Sequence, residues 1–235
     1  MYDAYNTQQT ISRASAMSNF MRGVYGWMAA GLGITALVAV SVASNQAVAQ
    51  IVFGTPGVLP VLIIAQLVMV FVLAGRVNRM AAGTATALFL IYSALNGVTL
   101  STIFLVYTAS TIASAFAVSA GMFLVMCIYG SVTKRDLTSL GSFMFMGLVG
   151  IIIASVVNIF LRSEGLSMML SYIGVFVFLG LTAYDVQRFK DMGLYAPAGD
   201  ATALRRASIL GALTLYLDFI NLFLMMVRIF GGSRR

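Results

Sequence analysis

Two aspartates lie inside apolar stretches of the sequence, and their carboxyl groups are the side chains there best suited to chemistry. Asp218 lies in LTLYLDFINLF, at 213–223, and Asp185 lies in GLTAYDVQRFK, at 180–190. A carboxylate in the middle of an apolar helix costs at least ~2.5 kcal/mol on membrane-insertion scales, so it must face protein or water and find a partner. Because carboxylates bind both protons and hard cations such as calcium, the two residues are candidates for a proton sensor and an ion path.

Residue types that the chain lacks exclude several other kinds of chemistry. The sequence contains no histidine, which excludes histidine-containing zinc sites, histidine-dependent nucleophilic triads and the usual pH switch near neutrality. Cys127 is the only cysteine and lies in an apolar run, where it is expected to pack as a small hydrophobe. Any proton sensing must therefore fall on the seven acidic residues.

The elements that must position these carboxyl groups are membrane-spanning helices. Hydrophobic residues make up 60% of the 235 residues and charged residues only 9%, compared with about 25% charged residues in soluble domains. Apolar runs of roughly 20 residues can cross a hydrocarbon layer of about 30 Å as helices. We therefore expect an all-α integral membrane protein with seven transmembrane helices. The runs lie at about 24–45, 58–75, 86–107, 111–133, 142–161, 166–187 and 207–230.

The runs divide the chain into three parts. We expect a polar cytoplasmic N-terminal tail at 1–23, a seven-helix transmembrane domain at 24–230 and a short basic C-terminal tail at 231–235. Turn-forming residues predict longer connectors at 45–57 and 188–206. The net charge is +7, but the basic residues stand singly or in pairs between apolar runs, so they indicate topology. The expected partner is the lipid bilayer, and no nucleic acid is expected to bind.

Lys and Arg are distributed unequally between the two predicted sides of the membrane. Ten lie on the side of the N-terminus and four on the other, so the positive-inside rule places the N-terminus in the cytoplasm. Three of the four are C-terminal arginines, which an even number of crossings or a re-entrant last segment would place inside instead. The ten are Arg13, Arg22, Arg76, Arg79, Lys134, Arg135, Arg188, Lys190, Arg205 and Arg206, and the four are Arg162, Arg228, Arg234 and Arg235.

Uncharged polar residues accompany the aspartates. Thr214, Asp218 and Asn221 follow one helical face, which predicts that the last helix faces protein. Asn96 lies in a polar stripe on the third span, and Gln66 lies in the second; interhelical hydrogen bonding alone would also explain these uncharged groups. We take Thr214, Asn221 and Asn96 as supporting positions. A stripe of small residues on the fourth span predicts close packing against another helix. Its members are Ala109, Ala113, Ala117 and Gly121.

Arg76 ends the second span and Asp185 ends the sixth, on the same predicted side, so an ion pair between them is feasible. Asp185 would otherwise be an interfacial charge paired with a nearby basic residue. Straight helices place Asp185 about 29 Å along its span, near the inner boundary, and Asp218 about 17 Å from that boundary. Contact between the aspartates therefore requires a helix shift or a deep vestibule. Paired carboxyl groups would share a proton and titrate together.

Two segments resemble the transmembrane Bax inhibitor motif family, also described as the Bax inhibitor and YccA-like membrane proteins. Residues 213–223 resemble the most recognisable segment of the family nearly letter for letter, and Tyr184-Asp185-Val186-Gln187 resembles its tyrosine-aspartate-x-glutamine element. The first half of the chain matches mainly in pattern. The chain is similar to bacterial members, which implies a location in the cytoplasmic (inner) membrane and a fold with the last helix central in the bundle.

The resemblance also implies a function. It implies a pH-sensitive calcium leak in which Asp185 and Asp218 sense protons, lie on the ion path and bind calcium transiently, while Arg76 latches Asp185. No enzymatic activity is expected. No cofactor is expected either, since calcium is the transported ion.

Two other classes of function fit some of the same residues. The resemblance also implies a membrane regulator that binds and modulates other membrane proteins, such as a quality-control protease. An intramembrane aspartyl protease would also use two aspartates on adjacent helices, the first of them after a tyrosine. Such proteases have glycine-x-glycine before the second aspartate, where this chain has LYL at 215–217, so this class is the least favoured.

The predicted topology can be tested by labelling single cysteines in a variant whose Cys127 is replaced. An impermeant reagent applied from outside is expected to label cysteines at 45–57 and to leave cysteines at 188–206 unlabelled. Labelling of the 188–206 segment from outside would contradict the topology, and with it the common side proposed for Arg76 and Asp185.

Overall fold

A computed structural model describes the backbone of residues 2–194 and 201–232 and the side chains of residues 15–194 and 202–232. Every regular element in these ranges is helical. A short 3-10 helix at Val77–Arg79 follows the third α-helix. The α-helices are α1 (Tyr2–Ser44), α2 (Gln46–Gly54), α3 (Val58–Arg76), α4 (Ala82–Leu100), α5 (Ile103–Val106), α6 (Ala109–Val132), α7 (Thr138–Leu161), α8 (Glu164–Leu194) and α9 (Ala201–Gly232).

Seven helical segments of the described chain are long and apolar enough to cross a membrane, which confirms the predicted all-α membrane fold. They coincide with the seven predicted apolar runs, with shifted ends. The spans are Ser15–Ser44, Val58–Arg79, Ala82–Val106, Ala109–Val132, Thr138–Leu161, Glu164–Leu194 and Thr202–Gly232.

The two predicted connectors are shorter than expected because helix extends into them. The segment 45–57 contains α2, whose first turn is capped by the Asn45 side chain accepting a hydrogen bond from the backbone N–H of Val48. Most of 188–206 is also helical, while 195–200 lies outside the described residues. Hydropathy marks where a helix leaves the apolar layer, but a formed helix adds one hydrogen bond with each further residue and can continue into the polar interface. Residues 233–235 of the predicted C-terminal tail also lie outside the described residues.

The chain forms two compact units. The first contains Met1–Val106 and Phe189–Leu213, and the second contains Tyr107–Arg188 and Thr214–Arg235. Helices α8 and α9 each contribute to both units. The last span is the most buried of the seven, with 67% of its most apolar stretch buried, compared with 6% for the second and fifth spans. This burial agrees with the central position that the family resemblance implies for the last helix.

Within the first unit, α1 and α4 approach each other through small and hydroxylated residues. A Cβ atom on Gly97 would lie only 2.6 Å from the carbonyl oxygen of Thr35. The Thr35 hydroxyl donates a 2.8 Å hydrogen bond to the carbonyl oxygen of Ser93. From α3, Gln66 donates to the carbonyl oxygen of Leu95 at 2.9 Å and to the Thr99 hydroxyl at 3.2 Å. Interhelical hydrogen bonding therefore accounts for Gln66.

Within the second unit, α8 fits against glycines of α6 and α7. A Cβ atom on Gly130 would overlap the carbonyl oxygen of Ala183, and one on Gly141 would overlap the Tyr184 ring. These contacts fix the part of α8 that directly precedes Asp185, because neither glycine leaves room for a larger residue.

The predicted packing of the small-residue stripe on α6 is wrong. Its four residues are exposed, and a Cβ atom on Gly121 would meet nothing within 4 Å. A different stripe of the same helix is buried instead. It contains Thr111, Ala115, Ser119, Phe123 and Cys127. Small residues recur on both faces of α6, and the aromatic residues on the neighbouring helix select the face that carries Phe123.

We expect Gly97→Ala to lower the stability of the purified protein by about 1–3 kcal/mol, because the added methyl group overlaps the backbone of α1. The midpoint of thermal unfolding in detergent measures this change. Gly83→Ala is the matched control, since Gly83 lies on the same helix with nothing within 4 Å of the added carbon. Equal midpoints for the two variants would contradict the close approach of α1 and α4.

Candidate functional site

The two predicted site aspartates lie together in the second unit. Asp185 on α8 and Asp218 on α9 are only 7% and 5% exposed. Their carboxyl groups lie within hydrogen-bonding reach of each other. Helix α8 continues to Leu194, so Asp185 lies about 14 Å from the end of its helix rather than at that end.

The geometry of the pair restricts its protonation. Ionised carboxylates only accept hydrogen bonds, so a hydrogen bond between Asp185 and Asp218 requires one of them to carry a proton. The second oxygen of Asp218, Oδ2, is buried and has no hydrogen-bond partner among the described residues. A buried polar atom without a partner is costly, and this one is therefore a ready acceptor for a proton donor or a cation.

Neighbouring residues on the same two helices complete the surroundings of the pair. Thr182, one turn before Asp185, is fully buried and donates to the carbonyl oxygen of Phe178 at 2.7 Å. Arg188, one turn after Asp185, is the cation whose charge acts on this carboxyl group. On α9, the half-buried Asn221 donates to the carbonyl oxygen of Leu217 at 2.8 Å, and Thr214 is also half-buried.

The other two predicted site residues belong to the first unit. Asn96 is buried in α4 and donates a 3.3 Å hydrogen bond to the Tyr92 hydroxyl. Arg76 is exposed at the last residue of α3. The structure thus groups Thr214 and Asn221 with the aspartates in one unit and places Asn96 and Arg76 in the other. The latch between Arg76 and Asp185 stays a prediction.

Gln187 has a role that sequence reasoning missed, although it belongs to the quoted tyrosine-aspartate-x-glutamine element. Its side-chain oxygen accepts a 2.9 Å hydrogen bond from the backbone N–H of Leu137, and its side-chain nitrogen donates to the carbonyl oxygen of Arg135 at 2.8 Å. Two residues after Asp185, it therefore ties α8 to the loop between α6 and α7. Hydrogen bonds from Thr138 order the same loop and hold the pKa of Asp136 below its ordinary value.

Ser119 is a second residue that the sequence did not single out. It is fully buried on α6, and its hydroxyl has no hydrogen-bond partner among the described residues. It lies between Phe116 and Phe123, whose rings pack edge-on against Phe219 with centroids 5.7 and 5.5 Å away. In the sequence, only the four-residue spacing of the buried stripe could have identified Ser119.

The site offers few ligands for a permanently bound metal ion. In the described part of the chain, no three residues among His, Cys, Asp and Glu are grouped closely enough to hold one. Two aspartates supply at most four carboxylate oxygens, whereas calcium takes six to eight oxygen ligands. Water and backbone oxygens would have to complete the ligand shell of a calcium ion at this pair. Such a shell suits transient binding of the ion better than permanent binding.

Comparisons with known proteins agree with the fold and the motifs. A family model described as inhibitor of apoptosis-promoting Bax1 (Bax1-I) matches residues 17–235. The Escherichia coli (strain K12) protein named "Inner membrane protein YbhL" is 54% identical over 220 residues, which cover 94% of each chain. A Borreliella burgdorferi protein is 45% identical over 92% of this chain and 93% of its own. A Rickettsia prowazekii protein is 40% identical over the whole of both chains.

The family match covers the seven spans except for the first two residues of the first one, and it includes the two helices that carry the aspartates. It confirms the family that the segments around Asp185 and Asp218 predicted. The chain therefore belongs to the Bax inhibitor family of integral membrane proteins.

Proposed function

We propose that the protein is a pH-sensitive calcium leak channel of the bacterial cytoplasmic membrane, in which Asp185 and Asp218 sense protons and lie on the ion route. The observation that carries the proposal is the close approach of two buried carboxyl groups on two apolar helices. Calcium is the transported ion in this proposal, and the protein has neither a catalytic role nor a cofactor.

The chemistry of the pair supports proton control. With one shared proton, the pair carries a single negative charge and joins α8 to α9 through a hydrogen bond. Loss of that proton leaves two carboxylates that repel each other in surroundings of low dielectric constant. The ionised pair favours a divalent cation nearby, or a separation of the two helices.

The membrane location is supported by the spans and by the name of the E. coli relative, an inner membrane protein. The cytoplasmic position of the N-terminus is supported by the ten-to-four distribution of basic residues.

A membrane regulator that binds other membrane proteins is the second candidate. The exposed small-residue stripe of α6 favours it, because such a face allows close approach of another transmembrane helix. An intramembrane protease is less favoured. Leu215 and Tyr216, which precede Asp218, are completely buried and leave no space beside them for a substrate backbone.

The carboxylate of Asp218 can be tested with Asp218→Asn, which keeps the shape and removes the charge. We expect folded protein whose calcium flux into liposomes falls about tenfold or more, a rise of at least ~1.4 kcal/mol in the barrier. Asp191→Asn is the matched control, because Asp191 is an exposed carboxylate on the same helix as Asp185. Unchanged flux in a stable Asp218→Asn variant would exclude this carboxylate from the ion route. Absence of flux in the purified wild type would favour the regulator.

The proposed latch predicts a particular pH profile. Protonation of Asp185 weakens its attraction to Arg76, but protonation of the pair also removes the charge that attracts calcium, so flux is expected to pass through a maximum with pH. Arg76→Ala is expected to leak more than wild type at alkaline pH and to keep the fall in flux at acidic pH. Flux assays across a pH series measure both, with Arg162→Ala as the control. Profiles of wild type and Arg76→Ala that differ only by a constant factor would rule out the latch.

A further inference from the structure

The first unit carries an excess of positive charge that its own carboxylates do not balance. Among its described side chains there are six basic groups, and Asp191 is the one carboxylate. Three of the basic groups, Arg79, Arg205 and Arg206, lie near the end of α3 and the start of α9, and we call them the arginine cluster. No ion pair joins any of the three to a carboxylate among the side chains that the structure describes.

The contacts of Arg206 place it beside the turn that follows α3. Its Nη1 atom donates to the carbonyl oxygen of Asn78, the residue directly before Arg79. Its Nε atom donates to the carbonyl oxygen of Thr202 at 3.4 Å. Carbonyl oxygens orient the guanidinium group but do not neutralise it, and a guanidinium group has five N–H donors in total. Arg206 therefore keeps its charge and further donors next to the exposed Arg79.

Arg205 shows the depth at which the cluster lies. Its guanidinium carbon lies 5.6 Å from the centre of the Trp27 ring of α1. Trp27 lies near the start of the apolar run at 24–45. Tryptophan at the boundary of an apolar run prefers the level of the lipid headgroups, and a cation over its ring at this distance is attracted to it. The exposed Arg205 is thus held at the level where phosphate groups of lipids lie.

We propose that the arginine cluster binds the phosphate headgroup of an anionic phospholipid. Guanidinium groups match the geometry of phosphate oxygens, and basic residues at this level of a membrane attract anionic lipids. The headgroup supplies the negative charge that the described side chains of the first unit lack. A lipid bound here would bridge α1, the 3-10 helix after α3, and α9 through Trp27, Arg79 and Arg206. The proposal does not depend on calcium transport.

Trp27 makes the proposal directly testable, because it is the only tryptophan of the chain and lies against Arg205. The full-length protein is reconstituted in phosphatidylcholine vesicles that contain a small fraction of brominated lipid, which quenches tryptophan fluorescence on contact. We expect quenching to show a higher affinity of the site for brominated phosphatidylglycerol than for brominated phosphatidylcholine. The ratio of the two affinities is expected to be about fivefold per contributing arginine. The preference is expected to persist in inorganic phosphate matched to chloride in ionic strength.

The double variant Arg79→Gln/Arg206→Gln is expected to lose the preference, while Arg228→Gln, at the opposite end of α9, is expected to keep it. Arg206→Lys, which keeps the charge, is expected to retain part of it. Equal quenching of wild type by the two lipids would overturn the proposal. Loss of the preference for brominated phosphatidylglycerol in inorganic phosphate would also overturn the proposal, because the site would then bind any phosphate. An equal loss in Arg228→Gln would also overturn it, because the effect would then be one of net charge.

Discussion

A polar group inside a membrane has no water to bind, so a partner within the protein is strongly favoured, and among the described side chains only Ser119 Oγ and Asp218 Oδ2 are buried without one. The constraint decides how the helices meet. Thr35 reaches the carbonyl oxygen of Ser93, and Gln66 reaches a carbonyl oxygen and a hydroxyl on α4. It applies most strongly to Asp185 and Asp218, because a carboxyl group costs more to bury than an amide or a hydroxyl. When the two carboxyl groups lie together, they can share one proton and one hydrogen bond, which costs less free energy than burying each of them alone.

The position of Asp185 depends on contacts of the residues that flank it on α8. Glycines at 130 and 141 let α8 lie close to α6 and α7 directly before Asp185, and Gln187 ties the helix to the α6–α7 loop directly after it. These contacts fix the backbone of α8 on both sides of Asp185.

The location of the spans and the identity of the two aspartates could be predicted from the sequence, because both depend on local composition. A run of apolar residues is long enough to cross a membrane whatever surrounds it. An acidic residue within such a run is costly in any fold. The ends of the helices were less predictable, since α2 lies in a segment with turn-forming residues and α8 and α9 extend past their apolar runs into charged stretches.

What the sequence alone determined is the class of fold, the family and the residues that need a partner. Only the tertiary structure decided which partner each one has. Small residues recur on two faces of α6, and the face with Ser119 is buried while the face with Gly121 is exposed. Straight helices separated Asp185 from Asp218 in depth, yet their carboxyl groups meet. Partner choice depends on the shape and tilt of neighbouring helices, which no local pattern of residues encodes.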